Sequence, residues 1–374
     1  MPDKIILILG LGHEHEDFQT DRFSIPFVRR TEGGWLWAGK STLLEAIRLL
    51  ATEGSPSTFF SILNYREETD QRSEEAGTAI TPGEFSAFGS LFSGFPSLAE
   101  CRQAFEITGE NGVPQKLSAR VAWFTEEVNA ELGRRLIPAK EDLFGESTGF
   151  PALEVELTNN RRRIIRIDRP QRYRRVMVDA VEGISTPCVF LDPFSSRSTS
   201  QLAAFWDTIA LTDAEAEVVR ALQIVSQDIQ AVSMVGSDAG QQRPRTAIAK
   251  SSNCSHPIPL RSFGDGVNRL FGLILSLTCA KSGVLLVDEI ENGLHHSVLV
   301  DVWRTIFRLA RQLDVQVFAT SHSWDCIEAF QKAANEDAES GVLIRLARKG
   351  EIVIPTVLRE KELQIVARDR IEVR

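Results

Sequence analysis

The sequence predicts an α/β fold whose mixed central sheet is assembled from the two ends of the chain, and three observations predict it. Gly34-Trp35-Leu36-Trp37-Ala38-Gly39-Lys40-Ser41 has the phosphate-loop spacing G-x-x-x-x-G-K-S and opens into an apolar helical face of Leu43, Leu44, Ile47 and Leu50. Val284 to Val287 is a short continuous apolar run that ends in Asp288-Glu289, as a strand buried on both faces would. Val315 to Ala319 is a second such run and leads into Thr320-Ser321-His322.

Composition agrees. With 374 residues, 43% apolar and 25% charged, the chain suits one large domain or a domain with an insertion, and disorder and small disulfide scaffolds are excluded. Forty-two basic against 51 acidic residues give a net charge of -9, so any nucleic-acid contact must come from a local basic patch. Cys101, Cys188, Cys254, Cys279 and Cys326 are scattered without a C-x-x-C pair, which suits thiols in a reducing, cytoplasmic compartment. No run approaches the roughly 18 to 20 apolar residues of a membrane span, and Ile5 to Leu9 is too short for a secretory segment. His13-Glu14-His15-Glu16-Asp17 has metal-binding residue types but reads as a solvated loop.

Taken in order, the phosphate-loop helix runs from about Ser41 to Thr52, and Gly54 to Ser97 reads as loops and short pieces. Leu117 to Phe124, Leu153 to Leu157 and Arg163 to Ile167 read as strands, the last two turning at Asn159-Asn160. Leu202, Phe205, Trp206 and Ile209 share a helical face, and Thr212 with Glu215 forms a capping-box pattern ahead of Val218, Val219 and Leu222. Short strands follow Ser226. A helix covers Val267 to Ala280, another Ser297 to Leu313, and Val342 to Ile354 reads as a hairpin turning at Lys349-Gly350.

The chemistry follows from the residue types. Glycines let backbone N–H groups turn onto phosphate oxygens, Lys40 neutralises the outer phosphates, and the Ser41 hydroxyl can ligate Mg2+. A strand ending in two carboxylates supplies Asp288 for the metal shell and Glu289 as acceptor of a proton from an attacking water. His322 falls on the same sheet edge, close to a γ-phosphate, and Ser262-Phe263-Gly264-Asp265-Gly266 places a hydroxyl and free backbone at a helix N-terminus.

These four segments, in this order, resemble the ATP-binding-cassette ATPase superfamily. The wording of Leu286 to His295 (LVDEIENGLH) and of Ala319 to Ser323 (ATSHS) is closer still to the ATPase heads of the overcoming-lysogenization-defect family and its stand-alone relatives. The resemblance is dense over Leu260 to Phe330 and Gly39 to Leu50. It implies a P-loop NTPase head with ATP and Mg2+. Gly34, Gly39, Lys40, Ser41 and Thr42 would hold nucleotide, Ser41 and Asp288 the metal, and Glu289 and His322 would be catalytic. Asn292 would lie in the loop that meets the opposite subunit, and Ser262, Gly264 and Gly266 would form the signature loop. It also implies a head-to-tail homodimer with two sandwiched nucleotides, acting in defence against foreign DNA with a separate nuclease or toxin effector. The expected division is 1–100 and 256–374 for the two parts of the head and 101–255 for an inserted β/helical arm lobe.

Three features depart from the family pattern. Arg29-Arg30-Thr31-Glu32 is charged where an apolar strand is usual, and Trp35 and Trp37 are bulky, so either the pocket is reshaped or the region ahead of Gly39 is not an intact reading frame. No Q-loop glutamine stands out. After His322 no Asp-x-Asp cluster of a Toprim nuclease follows, so nuclease activity is not expected of this chain.

Eight arginines between Arg161 and Arg175 admit two readings: a strip tracking a nucleic-acid backbone with Tyr173 for stacking, or a solvated hairpin face in an acidic protein. Gly145-Glu146-Ser147-Thr148-Gly149 matches a nucleophile elbow but lacks the buried strand before it and the helix after it, and reads as a loop. The rival to an ATPase is a binding module that uses ATP occupancy as a switch with little turnover.

Overall fold

The computed structural model describes residues 5–12, 27–30, 39–66, 87–92, 96–97, 101, 104–110, 114–129, 133–139, 149–158, 160–167, 187–193, 199–236, 245–336, 341–349, 352–358 and 362. The strands are β1 (Ile5–Gly12), β2 (Phe27–Arg30), β3 (Ala104–Glu110), β4 (Pro114–Asn129), β5 (Gly133–Pro138), β6 (Phe150–Leu157), β7 (Arg162–Arg166) and β8 (Cys188–Leu191). They continue with β9 (Ile229–Val235), β10 (Thr246–Ser251), β11 (Ile258–Pro259), β12 (Val284–Val287), β13 (Gln316–Ser321), β14 (Gly341–Lys349) and β15 (Ile352–Leu358). The helices are α1 (Lys40–Ala51), α2 (Pro56–Tyr65), α3 (Thr199–Ile209), α4 (Asp213–Leu222), α5 (Asp265–Cys279), α6 (Leu299–Leu313) and α7 (Trp324–Glu336).

The head sheet has the order β15-β14-β1-β13-β12-β8. Every neighbouring pair in it is parallel except β14 with β15, so the sheet is mixed, as expected. β12 and the middle of β13 read as apolar runs because helices cover both faces. Leu285, Val287, Val317 and Ala319 are fully buried, and α5, α6 and α7 supply Leu270, Leu273, Trp303, Ile306 and Phe330 to the same core.

β1 sits at the centre, with Ile5 opposite Val317 of β13 on one side and Gly341 of β14 on the other. The apolar strand missing ahead of the phosphate loop is therefore Ile5–Gly12. The charged Arg29-Arg30 belongs instead to β2, paired with β3 in an antiparallel sheet of order β2-β3-β4-β6-β7. Charged side chains suit the edge of such a sheet and not the middle of a doubly covered one.

α1 is sandwiched between the two sheets. Leu43, Leu44 and Ile47 pack on Leu286 of β12 and on Val342 and Ile344 of β14, whereas Ala46 and Leu49 pack on Ile107, Leu117 and Leu153 of the antiparallel sheet. The expected loop after Gly54 is in part helix, α2. Pro56 occupies its first turn, where a missing N–H costs nothing, and Phe59, Ile62 and Leu63 are buried in the second core. The Gly, Ser and acidic residues of the wider window hide this short apolar face from a composition reading.

The segment 101–255, expected as one inserted lobe, divides between layers. β3 to β7 build the antiparallel sheet, but β8 is the edge strand of the head sheet, and Trp206, Val218 and Leu222 of α3 and α4 belong to the head core. Thr212 caps α4 by accepting from the Ala214 N–H at 3.3 Å, and the reciprocal bond runs from the Leu211 N–H to Glu215 Oε2 at 2.8 Å, one residue earlier than a capping box places it. β9, β10 and β11 form a separate three-stranded sheet leading into the loop before α5. His13 to Asp17, Ser147 and Gly350 lie outside the described residues.

Candidate functional site

Parallel strands β8, β12 and β13 end on one edge of the head sheet, and α1 begins there. Gly39 is its N-cap, and no described side chain caps this terminus, so its first N–H groups are not taken by a side-chain oxygen. Lys40 is buried and its Nζ donates to the Ser321 carbonyl at 2.8 Å. Burial pushes the lysine down to about 8, against the opposing pull of Glu291, Asp288 and Glu289. Thr42 is half-buried and lines a cleft shared with Glu45, Arg66 and Phe105.

Asp288 is the hub. Its buried carboxylate accepts from Ser41 Oγ at 2.9 Å and Tyr65 Oη at 3.0 Å on Oδ2, and from Thr320 Oγ1 at 2.5 Å on Oδ1. Burial first, then the neighbouring Asp288 charge, hold the Tyr65 phenol above its usual range, so it stays a donor. Among the described residues no cluster of three or more His, Cys, Asp or Glu side chains could hold a metal. One carboxylate and one hydroxyl, 2.9 Å apart, form a hard-oxygen donor set that fits Mg2+, which takes few protein ligands and completes its shell with phosphate and water.

The turn after β12 is held in an uncommon conformation. Glu289 has φ 48, in the left-handed region. Its N–H donates to Thr320 Oγ1 at 2.8 Å, and the Ile290 N–H donates to the Thr320 carbonyl at 3.1 Å. Arg269, on α5 and 2% exposed, donates to the carbonyls of Asp192 at 2.6 Å, Asp288 at 2.9 Å and Glu289 at 3.1 Å. The Glu289 carboxylate is half-exposed and stands 3.9 Å from His322 Nε2. The His322 N–H donates to Glu291 Oε1 at 2.7 Å, and Asn292 Nδ2 donates to the Pro193 carbonyl at 3.3 Å. This edge therefore presents a buried ammonium, a hydroxyl–carboxylate pair and an outer carboxylate beside an imidazole, a set able to bind anions and accept a proton from water.

Lys40, Ser41, Asp288, Glu289 and His322 are thus brought together; Gly34 lies outside the described residues. Ser262 and Gly264 precede α5 and Gly266 lies in its first turn, beside Gly293 of the turn after β12 rather than on α1. Gly264 caps α5 with φ 103, a conformation that favours glycine, and a Cβ at Gly266 would meet the Gly293 carbonyl at 3.0 Å. The sequence reading missed Tyr65, Arg269, Thr320 and Glu291. Arg269 had a signal, a lone cation inside the apolar run from Val267 to Leu277; Tyr65 had none.

Of the arginine-rich stretch, the described members are matched by acidic side chains. Arg161 and Arg163 pair with Glu53, Arg162 with Glu154, and Arg166 with Glu126 at 2.8 Å while lying 3.6 Å from the centre of the Phe150 ring. Arg169, Arg172, Tyr173, Arg174 and Arg175 lie outside the described residues. No described helix is long and apolar enough to cross a membrane.

Residues 38–325, well over half of the chain, match the family described as AAA domain, putative AbiEii toxin, Type IV TA system. A Helicobacter pylori protein named ATP/GTP phosphatase is 30% identical over 111 residues, which are 28% of this chain; the match spans 30% of that relative's length. An uncharacterized protein of Methanocaldococcus jannaschii is 30% identical over 94 residues, 25% of this chain and 82% of that protein. Among solved structures, an SMC head bound to the C-winged helix domain of ScpA is similar over 96% of this chain and 91% of its own, at 9% identity and a TM-score of 0.45. The SMC head domain from Thermotoga maritima has the same coverage at 12% identity and a TM-score of 0.38.

Proposed function

We propose that this chain, which belongs to the AAA-domain family described as putative AbiEii toxin, Type IV TA system and has the P-loop NTPase head fold, is an ATPase that hydrolyses ATP at the Lys40–Asp288 edge. The observation that carries the reading is the 2.9 Å bond from Ser41 Oγ to Asp288 Oδ2, which joins the phosphate-loop helix to the acidic strand across 247 positions of sequence. Lys40 neutralises the outer phosphates beside the backbone N–H groups of the α1 terminus, with Gly34, Gly39 and Thr42 completing the loop. Ser41 and Asp288 would hold Mg2+, which would supply positive charge against the negative charge of the phosphates. Glu289 accepts the proton of the attacking water, and His322, whose Nε2 stands 3.9 Å from that carboxylate, would meet the γ-phosphate.

Ser262, Gly264 and Gly266 serve the nucleotide of a second copy, with Asn292 at the same interface, in a head-to-tail homodimer. The approach of Gly266 to the Gly293 carbonyl, which sets the two loops side by side, supports this. ATP then acts as a removable link between two heads, and hydrolysis resets the pair. The likeness to overcoming-lysogenization-defect heads and the family's description as a putative toxin support a role in defence against foreign DNA, with a nuclease or toxin effector on another polypeptide.

The test is phosphate release measured beside light scattering with ATP and Mg2+. Glu289→Gln should abolish release and keep the ATP-dependent dimer. Dimerisation without release in the unaltered protein would favour the non-hydrolysing switch, and Lys40→Ala with undiminished nucleotide binding would remove the assignment.

A further inference from the structure

β12 and β13 run side by side as far as Val287 opposite Ala319. Just beyond that point, Thr320 makes three bonds to the turn that follows β12. Its carbonyl accepts from the Ile290 N–H at 3.1 Å, its Oγ1 accepts from the Glu289 N–H at 2.8 Å, and the same Oγ1 donates to Asp288 Oδ1 at 2.5 Å. Thr320 is 0% exposed, with Ile8 of β1 opposite it on its other side. The next residue serves the phosphate loop: the Ser321 carbonyl takes Lys40 Nζ at 2.8 Å. That contact is to main chain and does not depend on the Thr320 side chain.

The directions of the two side-chain bonds are fixed. An amide N–H only donates, so Oγ1 accepts from Glu289, and the single hydroxyl proton is left for the Asp288 carboxylate. Threonine is stiff at χ1, which holds that one hydroxyl in place for both partners. The carboxylate is gripped on both oxygens, by Ser41 and Tyr65 on Oδ2 and by Thr320 on Oδ1, and support on both fixes its plane. Without the Oδ1 donor the group can turn about the bond that carries it. Without the Oγ1 acceptor the Glu289 N–H loses its partner, at a residue whose φ of 48 already needs bonds to hold it.

We infer that Thr320 is a positioning residue whose one hydroxyl aligns the metal-side carboxylate of Asp288 and the proton acceptor Glu289 together, so that metal affinity and base placement are lost together when it is removed. The main-chain bond from Ile290 remains whatever side chain stands at this position, so substitution tests the hydroxyl itself. The inference rests on the reading of Ser41 and Asp288 as the metal side of the nucleotide site and of Glu289 as the base.

The test compares Thr320→Val, which keeps the shape and removes the hydroxyl, with Thr320→Ser, which keeps the hydroxyl. Two quantities are read on the full chain: apparent Mg2+ affinity, by titrating MgCl2 into protein saturated with a fluorescent non-hydrolysable ATP analogue, and kcat for phosphate release at saturating Mg2+. Removing the hydrogen-bond partner of a metal ligand costs about ten- to a hundred-fold, so Thr320→Val should lose at least about ten-fold in each. Analogue binding in EDTA should be unchanged, and Thr320→Ser should stay within a few-fold of the unaltered chain in both. Unaltered Mg2+ affinity or unaltered kcat in Thr320→Val overturns the inference, and so does a Thr320→Ser protein as impaired as Thr320→Val. Should Thr320→Val fail to fold, Thr320→Cys takes its place, since a thiol is a weak donor and a weak acceptor. The same two losses are expected of it, and the absence of either overturns the inference. If the unaltered chain binds no Mg2+–nucleotide, the assignment of the site falls and takes this inference with it. If it does bind and Thr320→Val makes no difference, only the inference falls.

Discussion

Replacing Arg269 with methionine removes the donors behind the catalytic turn while keeping much of the side chain's length. The guanidinium is buried, its N–H groups reach three carbonyls, and the Glu289 backbone it supports has φ 48. Holding a non-glycine residue there costs about 1–2 kcal/mol, which the surrounding bonds must offset. In the variant, the half-exposed Asp192 and Glu289 can turn their carbonyls to water, so the loss reduces to about one buried acceptor, roughly 1–3 kcal/mol. The variant also spares the desolvation of a cation, which works in the opposite direction. Global stability should therefore fall by no more than about 2 kcal/mol.

Activity should suffer more. With the Arg269 donors gone and the two Thr320 bonds and the Asn292 N–H left to hold the turn, the Glu289 carboxylate drifts, and a misplacement on the order of 1 Å costs roughly a hundred-fold in rate. Steady-state phosphate release should show kcat down by about ten- to a hundred-fold with KM within a few-fold, since Lys40 and Ser41 keep their own contacts. A kcat within two-fold of the unaltered enzyme, in a variant that melts normally, would refute the claim that Arg269 sets the turn.

Lys40 gives a pH prediction. Its pKa, lowered to about 8 by burial, leaves it about half deprotonated at pH 8 in the nucleotide-free protein, and a bound triphosphate raises it again. ATP binding should then take up about half a proton at pH 8, more at pH 9 and little at pH 7, with affinity falling as pH rises above 8. Calorimetry in buffers of different ionisation enthalpy measures this, and Lys40→Arg should abolish the uptake. In the antiparallel sheet, the buried Glu154 carboxylate is paired with Arg120 at 2.8 Å and with Arg162. Glu154→Gln should cost about 1–3 kcal/mol in urea unfolding without changing kcat, and a loss of turnover in folded protein would show that this sheet takes part in catalysis.

Local pattern carried a good deal of this. Val284 to Val287 and the start of β13 are legible because a strand covered on both faces must be continuously apolar. The helix periodicities of Leu43 to Leu50 and Leu202 to Ile209 are legible because each buries a face. β1 was only an apolar start, since nothing local says that Ile5–Gly12 inserts between β13 and β14, more than 300 positions away. α2 was lost inside a polar window, and Arg29-Arg30 was measured against the wrong sheet.

The amino-acid order alone determined which short segments bear the chemistry, because glycine, lysine, serine and paired carboxylates at fixed spacings leave few other uses for a phosphate loop and an acidic strand end. Only the tertiary structure decided who holds them: Thr320 and Tyr65 on the Asp288 carboxylate, Arg269 behind Glu289, Glu291 under the His322 N–H. Those partners are single polar side chains without periodicity or motif, and they reach the end of β12 from β13, from α5, from α2 and from the turn after β12.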